Sequence, residues 1–258
     1  MEQKFFFFDI DNTLAVWPEG KIPDSAQYCI DELQRRGHLV SIATGRIQVD
    51  AMRFAEQARI TNVVADGGHS ITIDGKLVSM IGMNRDMCIQ YLEYLESKHI
   101  PWAVTDRNKL GRITPYKEIL EWHPDWDVFK TVVDPEFDFH SVEDFYKIYV
   151  FFKDGEEEEK DIEHMTHKLI RYGEGCVLYE PMEKALGIRN MIGYFDMKPN
   201  QVVVFGDGYN DLSMFRPEWL NIAMGNARPE LKLEADYVTT DCDKDGIYNA
   251  CKHFGWID

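Results

Sequence analysis

Four consecutive phenylalanines, Phe5–Phe8, run straight into Asp9-Ile10-Asp11-Asn12-Thr13, and this junction restricts the fold more than any other feature of the chain. Successive side chains of a strand point to opposite faces. A segment that is apolar at every position, here Phe5 to Ile10, therefore suits a strand covered on both sides, as in a parallel sheet between helices. The same run is too short for the hydrophobic region of a signal peptide, and Asp9 interrupts it. No stretch approaches the roughly 18 apolar residues that a membrane-spanning helix needs. The expectation is a soluble, cytoplasmic chain.

The next segments alternate helix and strand. Ala26, Cys29, Ile30 and Leu33 mark one face of a helix over Asp24–Arg36, with Gly37 as its stop. Leu39–Ala43 reads as a strand, Ile47–Arg59 as a helix and Asn62–Ala65 as a strand. This alternation predicts a parallel sheet with helices on its faces. Asp74-Gly75, flanked by Ile71, Ile73, Leu77 and Val78, predicts a hairpin. From about Gly82 to Glu180 the pattern changes to aromatic-rich strands and helices. A helix is expected over Asp86–Lys98 and a strand over Tyr146–Phe152. The acidic run Glu156–Glu159 reads as the solvated start of a helix reaching about Ile170. The α/β rhythm then returns: a helix over Ala185–Met197, a strand over Val202–Phe205, a short helix over Asp211–Phe215, and strands at Ile222–Met224 and Tyr237–Thr239. The predicted fold class is α/β, a Rossmann-like doubly wound core of residues 1–81 and 181–258 with an inserted α+β domain of residues 82–180.

Charge narrows the partners. The chain of 258 residues carries 45 acidic and 28 basic side chains, a net charge of −17. Such a surface repels nucleic acid and anionic membrane. It also repels phosphorylated metabolites, so a phosphate site would need local positive charge, such as a metal ion and a well-placed lysine. The five cysteines (Cys29, Cys88, Cys176, Cys242, Cys251) show no C-x-x-C spacing and support neither a zinc site nor a disulfide framework.

Three apolar strands end in polar clusters: Phe5–Phe8 at Asp9–Thr13, Leu39–Ala43 at Thr44-Gly45-Arg46, and Val202–Phe205 at Gly206-Asp207-Gly208-Tyr209-Asn210-Asp211. In open parallel sheets ligands bind outside the carboxyl ends of the strands, so the three clusters belong to one edge. Asp9, Asp11, Asp207 and Asp211 together make an oxygen-rich site without histidine or cysteine, which selects Mg2+ over softer metals. Thr44, with backbone N–H groups of the Thr44-Gly45-Arg46 turn, suits an anion at the start of the next helix. Lys184 supplies the cation.

Taken in order, these four clusters resemble the haloacid dehalogenase-like hydrolases, and within them the Cof-type phosphatases, whose large α/β cap lies between the second and third motifs. Ala223-Met224-Gly225-Asn226-Ala227, Ala235-Asp236 and Asp245-Gly246 extend the likeness. The resemblance implies that Asp9 attacks the phosphate ester and forms an aspartyl-phosphate, while Asp11 protonates the leaving alcohol and then deprotonates water. It implies Mg2+ on Asp9, the backbone carbonyl of Asp11, and Asp207, with Asp211 orienting water or Lys184 from behind. Thr44, Gly45, Lys184 and Asn210 would bind phosphate. Three positions depart from the family pattern: Asn12 for glycine, Asp66-Gly67-Gly68 for Asn-Gly-Ala, and Glu183 and Ala185 flanking the lysine.

The implied substrate is a small phosphorylated metabolite, with sugar phosphates favoured. A phosphomutase using the same Asp9 and Asp11, and a non-catalytic phosphate- or metal-binding regulator, are the alternatives. Trp102, Arg107, Arg112, Trp122, His123 and Tyr149 are candidate substrate contacts in the inserted domain, with ordinary packing or surface placement the better expectation for each. His123, Asp125 and Asp127 read as a structured loop, and His164 and His167 as part of a solvated helix. Oligomeric state is not written in the sequence.

Overall fold

In the computed structural model, residues 2–125, 128–153, 162 and 169–258 are described. They form two compact units: residues 1–80 with 182–258, and residues 81–181.

The first unit is a mixed α/β fold around a parallel sheet. Its strands are β1 (Phe5–Phe8), β2 (Leu39–Ala43), β3 (Asn62–Ala65), β4 (Ser70–Ile73), β5 (Lys76–Met80), and, after the second unit, β12 (Val202–Gly206), β13 (Leu220–Ala223) and β14 (Tyr237–Val238). Their order is β14-β13-β12-β1-β2-β3-β4-β5. The six strands from β14 to β3 pair in parallel, and β4 and β5 add the expected antiparallel hairpin. Strand β1 is central because its four phenylalanines need cover on both faces. Phe5 and Phe7 pack together on one side with ring centroids 4.4 Å apart and planes tilted by 32°, and Phe5 meets Phe195 at 5.3 Å. Phe6 faces Trp256 at 4.8 Å, and Phe8 meets Phe205 at 4.7 Å. All four are fully buried, and each contributes about 2–3 kcal/mol through its apolar area.

The helices of this unit are α1 (Asp24–Arg35), α2 (Gln48–Ala58), α5 (Lys184–Tyr194), α6 (Pro229–Leu233) and α7 (Gly246–His253). Ala26, Cys29, Ile30 and Leu33 form the buried face of α1, as the periodicity predicts. The expected helix over Asp211–Phe215 is instead a 3-10 segment over Tyr209–Met214. It is pulled tight because Asp211 folds back onto the backbone N–H groups of Asp207 and Gly208.

The second unit holds α3 (Arg85–Ser97), β6 (Trp102–Thr105), β7 (Gly111–Thr114), α4 (Ile119–Trp122), β8 (Lys130–Val133), β9 (Lys147–Phe151), β10 (Leu169–Gly173) and β11 (Cys176–Tyr179). Its sheet order is β10-β11-β9-β6-β7-β8. The pleat of β9 sends Ile148 and Val150 into one core with Tyr91, Leu92 and Leu95 of α3. Tyr149 and Phe151 go into another with Ile119 and Phe129. The helix expected after Asp154 falls largely outside the described residues, but Leu169 and Ile170, at its expected end, are strand. Asp127, His164 and His167 also lie outside the described residues. All five cysteines are buried and unpaired. No helix among the described residues is long and apolar enough to cross a membrane.

Candidate active site

Strands β1, β2 and β12 are neighbours, so their polar termini share one edge. Asp9 continues the ladder of β1, its N–H donating to the Phe205 carbonyl at 3.0 Å. The side chain is buried, and Lys184 Nζ donates to Asp9 Oδ1 at 2.6 Å. The same ammonium donates to Asp211 Oδ1, also at 2.6 Å. Oxygens of Asp9, Asp207 and Asp211 all lie within 4.8 Å of one another.

This crowding has electrostatic consequences. Burial, and then the Asp211 carboxylate, raise the Asp9 pKa well above the usual aspartate range, with Lys184 pulling the other way. Burial, followed by Asp211, pushes Asp207 up to about 7. Lys184 is fully buried. Desolvation opposes its charge, but the attraction of Asp211 and Asp9 prevails and raises its pKa above the ordinary lysine value. Three carboxylates thus gather around one lysine, a cluster short of positive charge.

Each member is held from behind. Thr13 Oγ1 donates to Asp207 Oδ1 at 3.0 Å. Asp211 Oδ2 accepts from the Asp207 and Gly208 N–H groups at 2.9 and 2.8 Å. Lys184 opens α5, and α5 is seated by a close backbone approach. A Cβ on Gly68 would stand 2.2 Å from the Glu183 carbonyl oxygen, and Gly68 has φ +108°. The Glu183 N–H donates to the Gly67 carbonyl at 2.7 Å, and the Glu183 carboxylate meets His69 Nε2 at 3.1 Å. Gly68 and Glu183, two of the positions that depart from the pattern, therefore lie against each other and seat the start of α5 at Lys184.

Thr44 is buried at the end of β2, its Oγ1 accepting from the Arg46 N–H at 3.1 Å. Asn210 is half-buried in the 3-10 segment beside Gly208. Asp11 is outside the group of Asp9, Asp207 and Asp211 whose oxygens lie within 4.8 Å of one another, though near enough for its charge to raise the pKa of Asp9 and Asp207. The chain turns at Asn12, which adopts a left-handed φ of 57°, and the Asp11 carboxylate accepts from Arg46 Nε at 2.9 Å and Nη2 at 2.7 Å. Sequence reasoning assigns the Arg46 side chain no role. The signal is its place in Thr44-Gly45-Arg46, but its partner lies 35 residues away.

Of the candidate contacts in the second unit, Trp102, Arg112 and Tyr149 are buried. Trp102 Nε1 donates to Glu96 at 2.8 Å. Arg112 donates to Thr131 Oγ1 and the His123 carbonyl, with the Phe151 ring 4.9 Å from its guanidinium carbon. Arg107 is exposed and pairs with Asp106.

A central parallel sheet with carboxylates gathered at the ends of β1 and β12 around a buried lysine defines a class of α/β hydrolases. The haloacid dehalogenase-like hydrolases match residues 6–251, and the chain belongs to that family. It is 30% identical over 263 residues to YkrA of Bacillus subtilis, provisionally named a phosphatase, with the full length of both chains covered. It is 28% identical over 259 residues to a provisionally named bifunctional phosphatase/peptidyl-prolyl cis-trans isomerase of Streptococcus pyogenes. That match covers 99% of this chain and 54% of the longer protein, so the chain spans about half of that relative. Among solved structures, the subclass IIB sugar phosphatase BT4131 superposes with a TM-score of 0.78 at 26% identity, covering 99% of this chain and 100% of that one.

Proposed function

We propose that this protein is a magnesium-dependent phosphatase that hydrolyses small phosphate monoesters, sugar phosphates among them, through a phosphorylated Asp9. The observation that carries this reading is the buried Lys184 ammonium, 2.6 Å from both Asp9 and Asp211, with Asp207 in the same oxygen cluster. Family membership and the names of the relatives support the reaction class, and the sugar phosphatase supports the substrate class.

The donor set fits a hard divalent cation. Its side chains offer carboxyl oxygens only, and three carboxyl groups face a single buried ammonium. Asp9, Asp207 and the Asp11 backbone carbonyl would hold Mg2+, which supplies charge neutralisation between nucleophile and phosphoryl group. Asp211, whose oxygens already serve Lys184 and two backbone N–H groups, orients the lysine.

In the mechanism, Asp9 attacks phosphorus and the ester oxygen leaves. Asp11 gives that oxygen a proton, then takes one from the water that cleaves the acyl phosphate, returning Asp9 and releasing inorganic phosphate. Lys184, Thr44 and Asn210, with the backbone around Gly45, bind the phosphoryl oxygens. In this reading residues 1–81 and 181–258 carry the chemistry and residues 82–180 select the ester.

Phosphate release from para-nitrophenyl phosphate, with Mg2+ or with chelator, tests the reading. Magnesium-dependent release that disappears in Asp9→Asn is expected. Near-normal turnover by Asp9→Asn would overturn the mechanism. Absence of turnover without a bisphosphate activator, and its appearance with one, would favour the phosphomutase.

A further inference from the structure

Arg46 stands beside the proposed machinery on a scaffold of its own. Its Nε and Nη2 reach both oxygens of Asp11, and Nη1 donates to Asp50 Oδ2 at 2.7 Å. The Phe54 ring centroid lies 4.4 Å from the guanidinium carbon and that of Trp17 5.7 Å. The backbone is pinned at both ends: the N–H donates to Thr44 Oγ1, and the carbonyl accepts from the Asp66 N–H at 2.8 Å. These contacts aim the planar fork, and Asp11 receives two of its three hydrogen-bonding nitrogens. Among the described residues, Arg46 is the only cation paired with Asp11.

Asp11 needs such a partner. It is 39% exposed on its side chain and lies beyond the end of β1, in an isolated bridge with Ala15 and outside any strand or helix that would fix its rotamer. A carboxyl group that passes a proton to one oxygen and takes one from another must be placed to within fractions of an ångström. Resting on the phosphatase reading, we propose that Arg46 is a positioning residue that acts on the reaction solely through Asp11, its fork setting where the acid–base carboxyl stands. Two other roles for Arg46 make different predictions. A phosphate-binding arginine would act on phosphoryl transfer whether or not Asp11 were intact. An arginine that merely secures α2 through Asp50 would act on stability, and equally in every background.

A double-mutant cycle separates the three. Wild type, Arg46→Met, Asp11→Asn and the double variant are compared with para-nitrophenyl phosphate. The burst of nitrophenolate reports phosphoryl transfer to Asp9 from a leaving group that needs no proton, and steady-state turnover includes hydrolysis of the acyl phosphate, which needs Asp11 as base. Arg46→Met is expected to lower steady-state turnover about 10- to 100-fold when Asp11 is present. It should change turnover by no more than about threefold in the Asp11→Asn background, and leave the burst rate close to wild type. Arg46→Lys should not restore turnover, because an ammonium cannot present the fork. Equal losses in both backgrounds, a slowed burst, or full activity in Arg46→Lys would each overturn the proposal. A wild-type protein that releases no phosphate sinks the phosphatase reading itself, which is a distinguishable result.

Discussion

Replacing Lys184 by methionine removes the cation that bridges Asp9 and Asp211 while keeping the apolar stem and its volume. Two charge-assisted hydrogen bonds of 2.6 Å are lost, and the buried carboxylates of Asp9 and Asp211 remain. Breaking a buried ion pair from one side typically costs about 3–5 kcal/mol, because the partner stays desolvated and uncompensated. Here two partners are stranded, so the upper part of that range is expected for the metal-free protein. Added Mg2+ should recover part of the loss, since a divalent cation at the same oxygens restores positive charge. On turnover, loss of one preorganised donor to the phosphoryl group is worth about 10²- to 10³-fold. Urea unfolding followed by circular dichroism, with and without Mg2+, gives the first quantity, and phosphate release gives the second. A Lys184→Met protein as stable as wild type and fully active would refute both the electrostatic account of the cluster and the phosphate-binding role.

Asp11→Asn should lower turnover by about 10²- to 10⁴-fold yet leave the thermal stabilisation by Mg2+ nearly intact, because the Asp11 side chain lies outside the carboxylate cluster; loss of the Mg2+-induced shift would contradict this. Gly68→Ala places a Cβ 2.2 Å from the Glu183 carbonyl oxygen at φ +108°. It should destabilise the protein by at least about 3 kcal/mol and impair turnover through the displaced Lys184, and an unchanged melting temperature would count against the seating of α5. His38 Nδ1 accepts the Lys4 N–H at 3.0 Å while Nε2 is buried with no partner among the described residues, and burial, aided by Arg36 and Lys4, holds its pKa below 6.5. The unfolded chain therefore takes up a proton that the folded one refuses, so stability should fall as pH drops below about 6.5. His38→Asn, which keeps an acceptor for Lys4, should flatten that dependence in urea midpoints measured at pH 5.5 and 7.5, and an unaltered slope would exclude His38 as its source.

The legible parts of this molecule are those whose cause is local. Phe5–Phe8 announces a strand covered on both faces because the pleat makes burial a property of adjacent residues. Asp9, Asp207 and Asp211 are readable because each follows closely on an apolar run, and parallel topology brings those ends together. Lys184 is readable only through its place in a motif order, since nothing beside it in sequence indicates that Gly68 lets α5 approach closely enough for the ammonium to reach Asp9. The 3-10 geometry of Tyr209–Met214 escapes sequence reasoning because it arises from the Asp211 carboxylate capping Asp207 and Gly208, a choice that competes with ordinary helix. Arg46 escapes because a fork and its target 35 residues apart leave no periodic trace.

Asp9 and Asp11 show how two residues of one type, separated by a single isoleucine, come to differ. Had β1 continued, residues i and i+2 would share a face and both carboxylates would point into the same cluster. The strand instead ends at Phe8, and Asn12 turns the backbone through the left-handed region, with its N–H on the Ala15 carbonyl at 2.8 Å. Asp9 is left buried among like charges with an ammonium against it, while Asp11 is carried outward to a guanidinium fork. Carboxylates placed in contrasting surroundings are the arrangement from which separate nucleophile and acid–base roles arise. The turn at Ile10, whose carbonyl accepts from the Leu14 and Ala15 N–H groups at 3.0 and 2.8 Å, is thus the local feature that divides one sequence motif into two chemical environments.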